Sequence, residues 1–343
     1  MRICVFGAGA IGGHLAAKLA AAGHHVSVVA RGANLSAIQE KGVALRESAD
    51  ANARTVTGRV RASDKPSELG AQDVVFVTTK ATALAGVAPM ASALCDAGTM
   101  FVFVQNGIPW WYAMGMDGGP HRARPRPPVL SRLDPGGALG RAIAPERVIG
   151  AAVYSSNDAV EPGVVVNHTW GRDMLVVGET DDRPSERVAA LRALLNAAGM
   201  HSPATGDIRQ SVWDKLQLNF GSSLCVLLGE PISALIADPA LREVRARLVA
   251  EGEAIARAHG VSFEGVPRRP GGTGTAGAQG SGASAHKPSM LQDYERGRPM
   301  EVDAILAVPC AFARSAGVAA PTLEAVHAVT ARLAARKGLY SPA

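Results

Sequence analysis

Apolar residues fall in short unbroken runs over the first two hundred positions and in longer, periodically interrupted stripes after that. Ile3–Phe6 is such a run, closed by Gly7. The spacing predicts an alanine-rich helix over Ala8–Ala22, with Ile11, Leu15 and Leu19 on one face and Gly23 as its stop. Val26–Ala30 predicts the next strand. Strand, helix and strand within about 30 residues make the unit from which parallel sheets with right-handed crossovers are built. Asp73–Thr78 carries the continuous apolar run of a strand buried on both faces. Ala81–Leu94 predicts a helix and Thr99–Val104 a strand. Val148–Tyr154, Gly163–Asn167 and Met174–Gly178 are short β-rich runs that would finish the sheet with antiparallel strands. Ser185–Ala198 predicts an amphipathic helix.

From Ile208 the pattern lengthens. Helices are expected over Ile208–Leu228, Ala240–His259, Met300–Ser315 and Leu323–Lys337. The expected fold is therefore α/β: an N-terminal dinucleotide-binding domain over 1–206 and an all-helical domain over 207–343. Two segments break the pattern. Residues 115–138 are rich in Pro, Gly and Arg and read as a loop insertion in the first domain. Residues 265–288 have flexible-linker composition and read as a variable loop, with a lid over the following helix as the alternative.

Composition narrows the class. The 343 residues are 47% hydrophobic and 19% charged, enough apolar material for a sizeable core. The net charge of +5 suits an anionic ligand. No basic block with interleaved aromatics is present, so nucleic-acid binding is not expected. His121–Arg126 sits among prolines and reads as a solvated loop. Cys4, Cys95, Cys225 and Cys310 are far apart and read as reduced thiols of a cytoplasmic protein. The nine histidines show no metal-ligand spacing. The chain opens directly on a strand, so no signal peptide is expected. No apolar stretch reaches the ~18–20 residues of a membrane span.

Gly7-Ala8-Gly9-Ala10-Ile11-Gly12 matches G-x-G-x-x-G, and its place between a strand and a helix is what makes the match specific. Its glycines permit the tight turn, the approach of backbone to a pyrophosphate and close helix packing. The helix N-terminus offers free N–H groups to phosphates. The second strand ends in Ala30-Arg31-Gly32, with no acid before Glu40. A carboxylate there would hold a ribose 2′-hydroxyl, whereas Arg31 can pair with a 2′-phosphate. NADPH is the expected cofactor, with NADH and FAD as the less suited dinucleotides.

In the second half, Lys215, Asn219 and Ser223 are spaced i, i+4, i+8 and share a helix face. Two readings are open: a snorkelling lysine beside two incidental polar groups, or a lysine that protonates a carbonyl while hydride arrives. Downstream, Pro288-Ser289 suit a helix start. Ser289 can cap that helix or bind a substrate carboxylate. Glu301 heads a further helix, a place the helix dipole also favours.

Together these motifs resemble the ketopantoate reductase (2-dehydropantoate 2-reductase) family over nearly the whole chain. They are GAGAIGG at 7–13, Arg31, TTKA at 78–81, QNG at 105–107, WDKLQLN at 213–219 and HKPSMLQDYERGRPMEVDAI at 286–305. The resemblance implies a Rossmann domain joined to a helical domain, with NADPH-dependent reduction of 2-dehydropantoate to (R)-pantoate on the route to coenzyme A. It implies Lys215 as general acid and Glu301 as the group that holds the substrate hydroxyl. Asn219, Ser223 and Ser289 would hold the substrate's polar ends, Asn106 would stand beside nicotinamide and substrate, and Lys80 would join Arg31 at the cofactor. The implied partner is a small 2-oxo acid, and a homodimer is the one assembly left open. The chain departs from the family at Phe220-Gly221-Ser222-Ser223, where Ser223 replaces a second asparagine. That leaves room for a different branched 2-oxo acid. A non-catalytic NADP-binding protein is the other alternative, and it would not need Lys215 and Glu301 together.

Overall fold

The computed structural model describes residues 1–50, 52–118, 122–128, 130–268, 270 and 287–341. Most of the linker-like stretch, 269 and 271–286, lies outside the described residues, and the lid reading and His286 with it. The described chain clusters into two compact units. A sheet unit holds Met1–Gln105 and Gly137–Ile208, and a helical unit holds Asn106–Gly136, Arg209–Arg268 and residues 287–341.

The sheet unit begins β1 (Arg2–Phe6), α1 (Ala10–Ala21), β2 (His25–Val29), α2 (Gly32–Lys41), β3 (Val43–Arg46), β4 (Thr55–Gly58), β5 (Arg61–Ser63), α3 (Pro66–Leu69) and β6 (Val74–Val77). It continues with a 3₁₀ turn Ala81–Gly86, α4 (Ala88–Ala91), a second 3₁₀ turn Ser92–Leu94 and β7 (Met100–Phe103). After the excursion through 106–136 come α5 (Ala138–Ala142), β8 (Val148–Val153), β9 (Asn157–Glu161), β10 (Val164–Asn167), β11 (Leu175–Glu179) and α6 (Glu186–Ala197).

Seven strands form the main sheet in the order β11-β8-β7-β6-β1-β2-β5. All pairs are parallel except β11 against β8. The central strands β1, β6 and β7 are buried along nearly their whole length, as strands covered on both faces must be. A second sheet, β4-β3-β10-β9, was not expected. It takes β10, which the apolar runs had assigned to the main sheet. Helix α1 packs against it so closely that a Cβ on Gly13 would stand 2.6 Å from Val165 Cγ2. The expected helix over Ala81–Leu94 is instead a broken series of short turns, with Gly86 and Pro89 inside it.

The helical unit contains α7 (Ile208–Leu228), α8 (Ile232–Ala237), α9 (Pro239–Ala258), α10 (Ser289–Glu295), a π-helical turn Asp303–Ala307 running into α11 (Val308–Ser315), and α12 (Pro321–Arg336). The expected single helix Met300–Ser315 thus has a π turn at its start. The unit also takes Asn106–Gly136, which the sequence reading had placed in the first domain. The reason is aromatic. Tyr112 packs edge-on against Phe312 with ring centroids 5.2 Å apart, and Trp213 Nε1 donates to Tyr112 OH at 2.8 Å. Fully buried Arg209 donates from Nε to Tyr112 O at 2.9 Å and from Nη2 to Met114 O. Within the 115–138 segment Arg122 and Arg126 are exposed, while Arg124 packs on Gly260. No helix is long and apolar enough to cross a membrane among the described residues.

Candidate active site

The sheet unit presents the glycine turn at the end of β1. Gly12 is pressed onto the turn itself: a Cβ there would lie 1.9 Å from Gly7 O and 2.5 Å from Thr78 Oγ1. Gly9, by contrast, faces open space, with nothing within 4 Å of where its Cβ would be. The turn is therefore tight on its inner side and clear on its outer side, as a backbone cradle for a pyrophosphate requires. No side chain caps α1, whose N-cap is Gly9. Its first N–H groups are left to a ligand or solvent.

Two side chains hold this turn and a third holds the loop beside it, and the glycine motif alone did not reveal them. Thr78 Oγ1 donates to Gly7 O at 2.6 Å. Asn34 Nδ2 donates to Ala8 O at 2.7 Å, while Asn34 Oδ1 accepts from Gly163 N–H at 2.7 Å. Gln105 Nε2 donates to Val77 O at 2.7 Å and Thr79 O at 3.0 Å, fixing the loop after β6 that carries Lys80. Thr79 Oγ1 and Gln105 Oε1 are buried and have no hydrogen-bond partner among the described residues. Orphaned buried polar atoms beside a glycine cradle fit a dinucleotide that would satisfy them.

Arg31 is exposed at the N-cap of α2, and its guanidinium makes no hydrogen bond or ion pair among the described residues. It is a free cation at the tip of β2. Lys80 is half-buried and heads the 3₁₀ turn after β6. Ala8 is buried, and Ala10 and Ile11 are half-buried in the first turn of α1.

Behind α1 lies a buried polar network that the sequence did not signal. Lys18 Nζ donates to Asp173 Oδ2 at 2.7 Å and to Gly199 O at 2.8 Å. Asn167 Nδ2 and Thr169 Oγ1 donate to Asp173 Oδ1 at 2.7 Å and 2.9 Å. His14 Nε2 stands 3.4 Å from the same carboxylate. Burial pushes the His14 imidazole below its ordinary value, so it is held neutral. Burial alone would raise Asp173, but the hydrogen bonds it accepts from Asn167 and Lys18 hold the carboxyl well below the usual range.

The helical unit gathers the expected catalytic residues on α7 and around the π turn. Lys215 and Asn219 are half-buried and Ser223 is fully buried. Asn219 Nδ2 is a buried donor without a hydrogen-bond partner among the described residues. Ser223 Oγ donates to Asn219 O at 2.8 Å, so its proton is used within the helix and only its lone pairs face outward chemistry. Glu301 is buried, at 5% exposure. Asn106 Nδ2 reaches its Oε2 at 3.4 Å, a long bond that joins two of the sequence-predicted residues across 195 positions. Ser289 is the exposed first residue of α10 and makes no capping bond, so of its two readings the cap is not seen.

Comparison with known proteins places the chain. Residues 3–115 match the family pattern described as ketopantoate reductase PanE/ApbA, and residues 207–334 match its C-terminal counterpart. A 2-dehydropantoate 2-reductase of Mesorhizobium japonicum is 41% identical over 344 aligned positions, spanning 99% of this chain and 100% of that protein. A Ralstonia solanacearum protein, whose solved structure carries a provisional ketopantoate reductase name, superposes with a TM-score of 0.82 at 33% identity, covering 99% of both chains. A D-mandelate dehydrogenase solved with NADH and anilino(oxo)acetate shares the fold at 17% identity and a TM-score of 0.77, covering 99% of this chain and 100% of that one.

Proposed function

The chain belongs to the ketopantoate reductase family, and we propose that it reduces 2-dehydropantoate to (R)-pantoate with NADPH in the cytoplasm, on the way to pantothenate and coenzyme A. The observation that carries the reading is the donor and acceptor set of the helical unit. Among the described residues it holds the Lys215 amine, the unpartnered Asn219 amide donor and the buried Glu301 carboxylate. A substrate with a ketone, a carboxylate and a hydroxyl has the complementary set. Lys215 answers the ketone oxygen, Asn219 Nδ2 and Ser289 answer the carboxylate, and Glu301 with Asn106 accepts and orients the hydroxyl.

NADPH, when bound, supplies a hydride to the ketone carbon. Gly7–Gly12 and the start of α1 hold its pyrophosphate, Arg31 and Lys80 its 2′-phosphate end. As the carbon–oxygen π bond breaks, negative charge gathers on the oxygen. The Lys215 ammonium stabilises that charge, a contribution commonly worth about 3 kcal/mol, and donates its proton to the oxygen. Solvent then returns a proton to Lys215. Glu301 undergoes no bond change: it accepts the substrate hydroxyl and so fixes which face of the ketone is presented.

The test is a panel of 2-oxo acids with NADPH, followed by loss of the reduced nicotinamide's absorbance. Ketopantoate should exceed 3,3-dimethyl-2-oxobutanoate, the same acid without its hydroxyl, by about a hundredfold or more in kcat/KM, because the unfilled Glu301 carboxylate would be left buried. Equal rates for the two acids would remove the role given to Glu301. No activity on ketopantoate with clear activity on another branched 2-oxo acid would replace the substrate and keep the class. Ser223 marks where such a difference would originate.

A further inference from the structure

Glu301 stands at the head of a helix with an irregular register. Asp303–Ala307 form a π turn, in which Val308 N–H donates to Asp303 O five residues back. In that register the donor owed to Ala304 O is the amide of residue 309. Residue 309 is proline, which has no N–H and whose ring would strike the carbonyl of Ile305 in a regular α-helix. The proline thus accounts both for the widened turn and for a carbonyl on Ala304 that no helical amide fills.

Ile108 N–H donates to that carbonyl at 2.8 Å. The bond draws the turn of Asn106, Gly107 and Ile108 onto the helix backbone. Gly107 has φ +79°, and a Cβ on it would lie 2.4 Å from Ala304 O and 2.5 Å from Ala304 C, so no other residue fits. One position earlier, Asn106 Nδ2 meets Glu301 Oε2. The same short segment is tied to the C-terminal residues. Met300 N–H donates to Leu339 O at 2.9 Å, and Asp303 Oδ1 accepts from Arg132 Nη1 and from Tyr340 OH, both at 2.8 Å.

We propose that the π turn imposed by Pro309 is a positioning device for Glu301. By withholding an amide from Ala304 O, the proline reserves that carbonyl for Ile108, and this sets Asn106 against the Glu301 carboxylate. Pro309 touches no substrate; it acts through the backbone of Ala304 and Ile108. The inference rests on Glu301 and Asn106 being the substrate-orienting pair named above.

The experiment compares the wild-type chain with Pro309→Ala by two readings: hydrogen exchange at the Ile108 amide, and the kinetic constants with ketopantoate. The restored amide competes for Ala304 O. Exchange at Ile108 should quicken at least tenfold, and kcat/KM should fall at least tenfold, mainly through KM, while the Kd for NADPH stays within twofold. Unchanged exchange overturns the proposal, and so does faster exchange with kcat/KM within twofold of wild type. If Pro309→Ala does not fold, Tyr340→Phe takes its place. It removes one donor to Asp303, the first residue of the turn, without altering the backbone. About threefold faster exchange at Ile108, with the same rise in KM, then supports the device, and no change in either overturns it. Should the wild-type chain reduce another 2-oxo acid and not ketopantoate, the proposed substrate fails separately; the kinetics are then read on that acid and the Ile108 exchange decides as before.

Discussion

On the function proposed above, the two units would hold their ligands in opposite ways. The sheet unit uses backbone: Gly7, Gly9 and Gly12 sit within six consecutive residues, and their work is to leave room. The helical unit uses side chains drawn from segments nearly two hundred residues apart: Asn106 meets Glu301 beside a π turn whose Ala304 carbonyl accepts from Ile108. A backbone site is written locally and tolerates little. A side-chain site is dispersed and depends on packing elsewhere.

The sharpest way to break this contrast lies within the glycine turn. Gly12→Ala would drive a Cβ into Gly7 O, a backbone atom that cannot swing away, and should cost about 3 kcal/mol or more of stability. Gly9→Ala meets no protein atom and keeps a negative φ of −76°, so its melting temperature should match wild type. Its NADPH affinity should nevertheless fall, because the added methyl occupies the pyrophosphate's place. Thermal melts and NADPH titrations of both variants check this. Destabilisation of Gly9→Ala would show that the open side of the turn has a structural task.

Next in size is the network behind α1. Lys18→Met leaves the buried Asp173 carboxylate without its cation and should cost about 3 kcal/mol in denaturant unfolding. Wild-type stability should also fall as pH drops below about 6.5. The folded protein holds His14 neutral while the unfolded chain takes up a proton, so the unfolded state binds more protons and gains as pH decreases. Asp173 contributes in the same direction lower down, below about pH 4, because its folded form resists protonation. A flat stability profile between pH 7 and 5 would remove the buried-neutral reading of His14.

Smaller again is the choice of cofactor. Arg31→Ala should weaken NADPH by about ten- to a hundredfold, the value of one or two charge-assisted hydrogen bonds, and leave NADH within twofold. Equal losses for both would mean that Arg31 does not meet the 2′-phosphate.

What the sequence disclosed follows the same division. The β1-α1-β2 unit and α7 were legible almost to the residue, because strong apolar periodicity and terminal glycines set their limits. The second sheet was not. β4 reads Thr-Val-Thr-Gly and β9 Asn-Asp-Ala-Val-Glu, polar and only partly buried, with no apolar run to announce them. Attachment of Asn106–Gly136 to the helical unit was hidden because Trp110, Trp111 and Tyr112 advertise burial without saying against what. The candidate residues themselves could be chosen from motifs. Of the supports around them, Thr78 and Gln105 lie in the quoted motifs, but Asn34, through its side chain, and Ile108, through its backbone amide, act by hydrogen bonds that no motif announces. Pro309 lies inside the expected helix Met300–Ser315, yet the sequence reading drew no π turn from it.

The proposed carbonyl chemistry turns on Lys215. With NADPH bound beforehand, the first turnover on ketopantoate should be about a hundredfold or more slower in Lys215→Ala than in wild type, while the Kd for NADPH changes by less than twofold. A first-turnover rate near wild type, or a large loss of NADPH affinity in that variant, would contradict the separation of cofactor holding in one unit from carbonyl chemistry in the other.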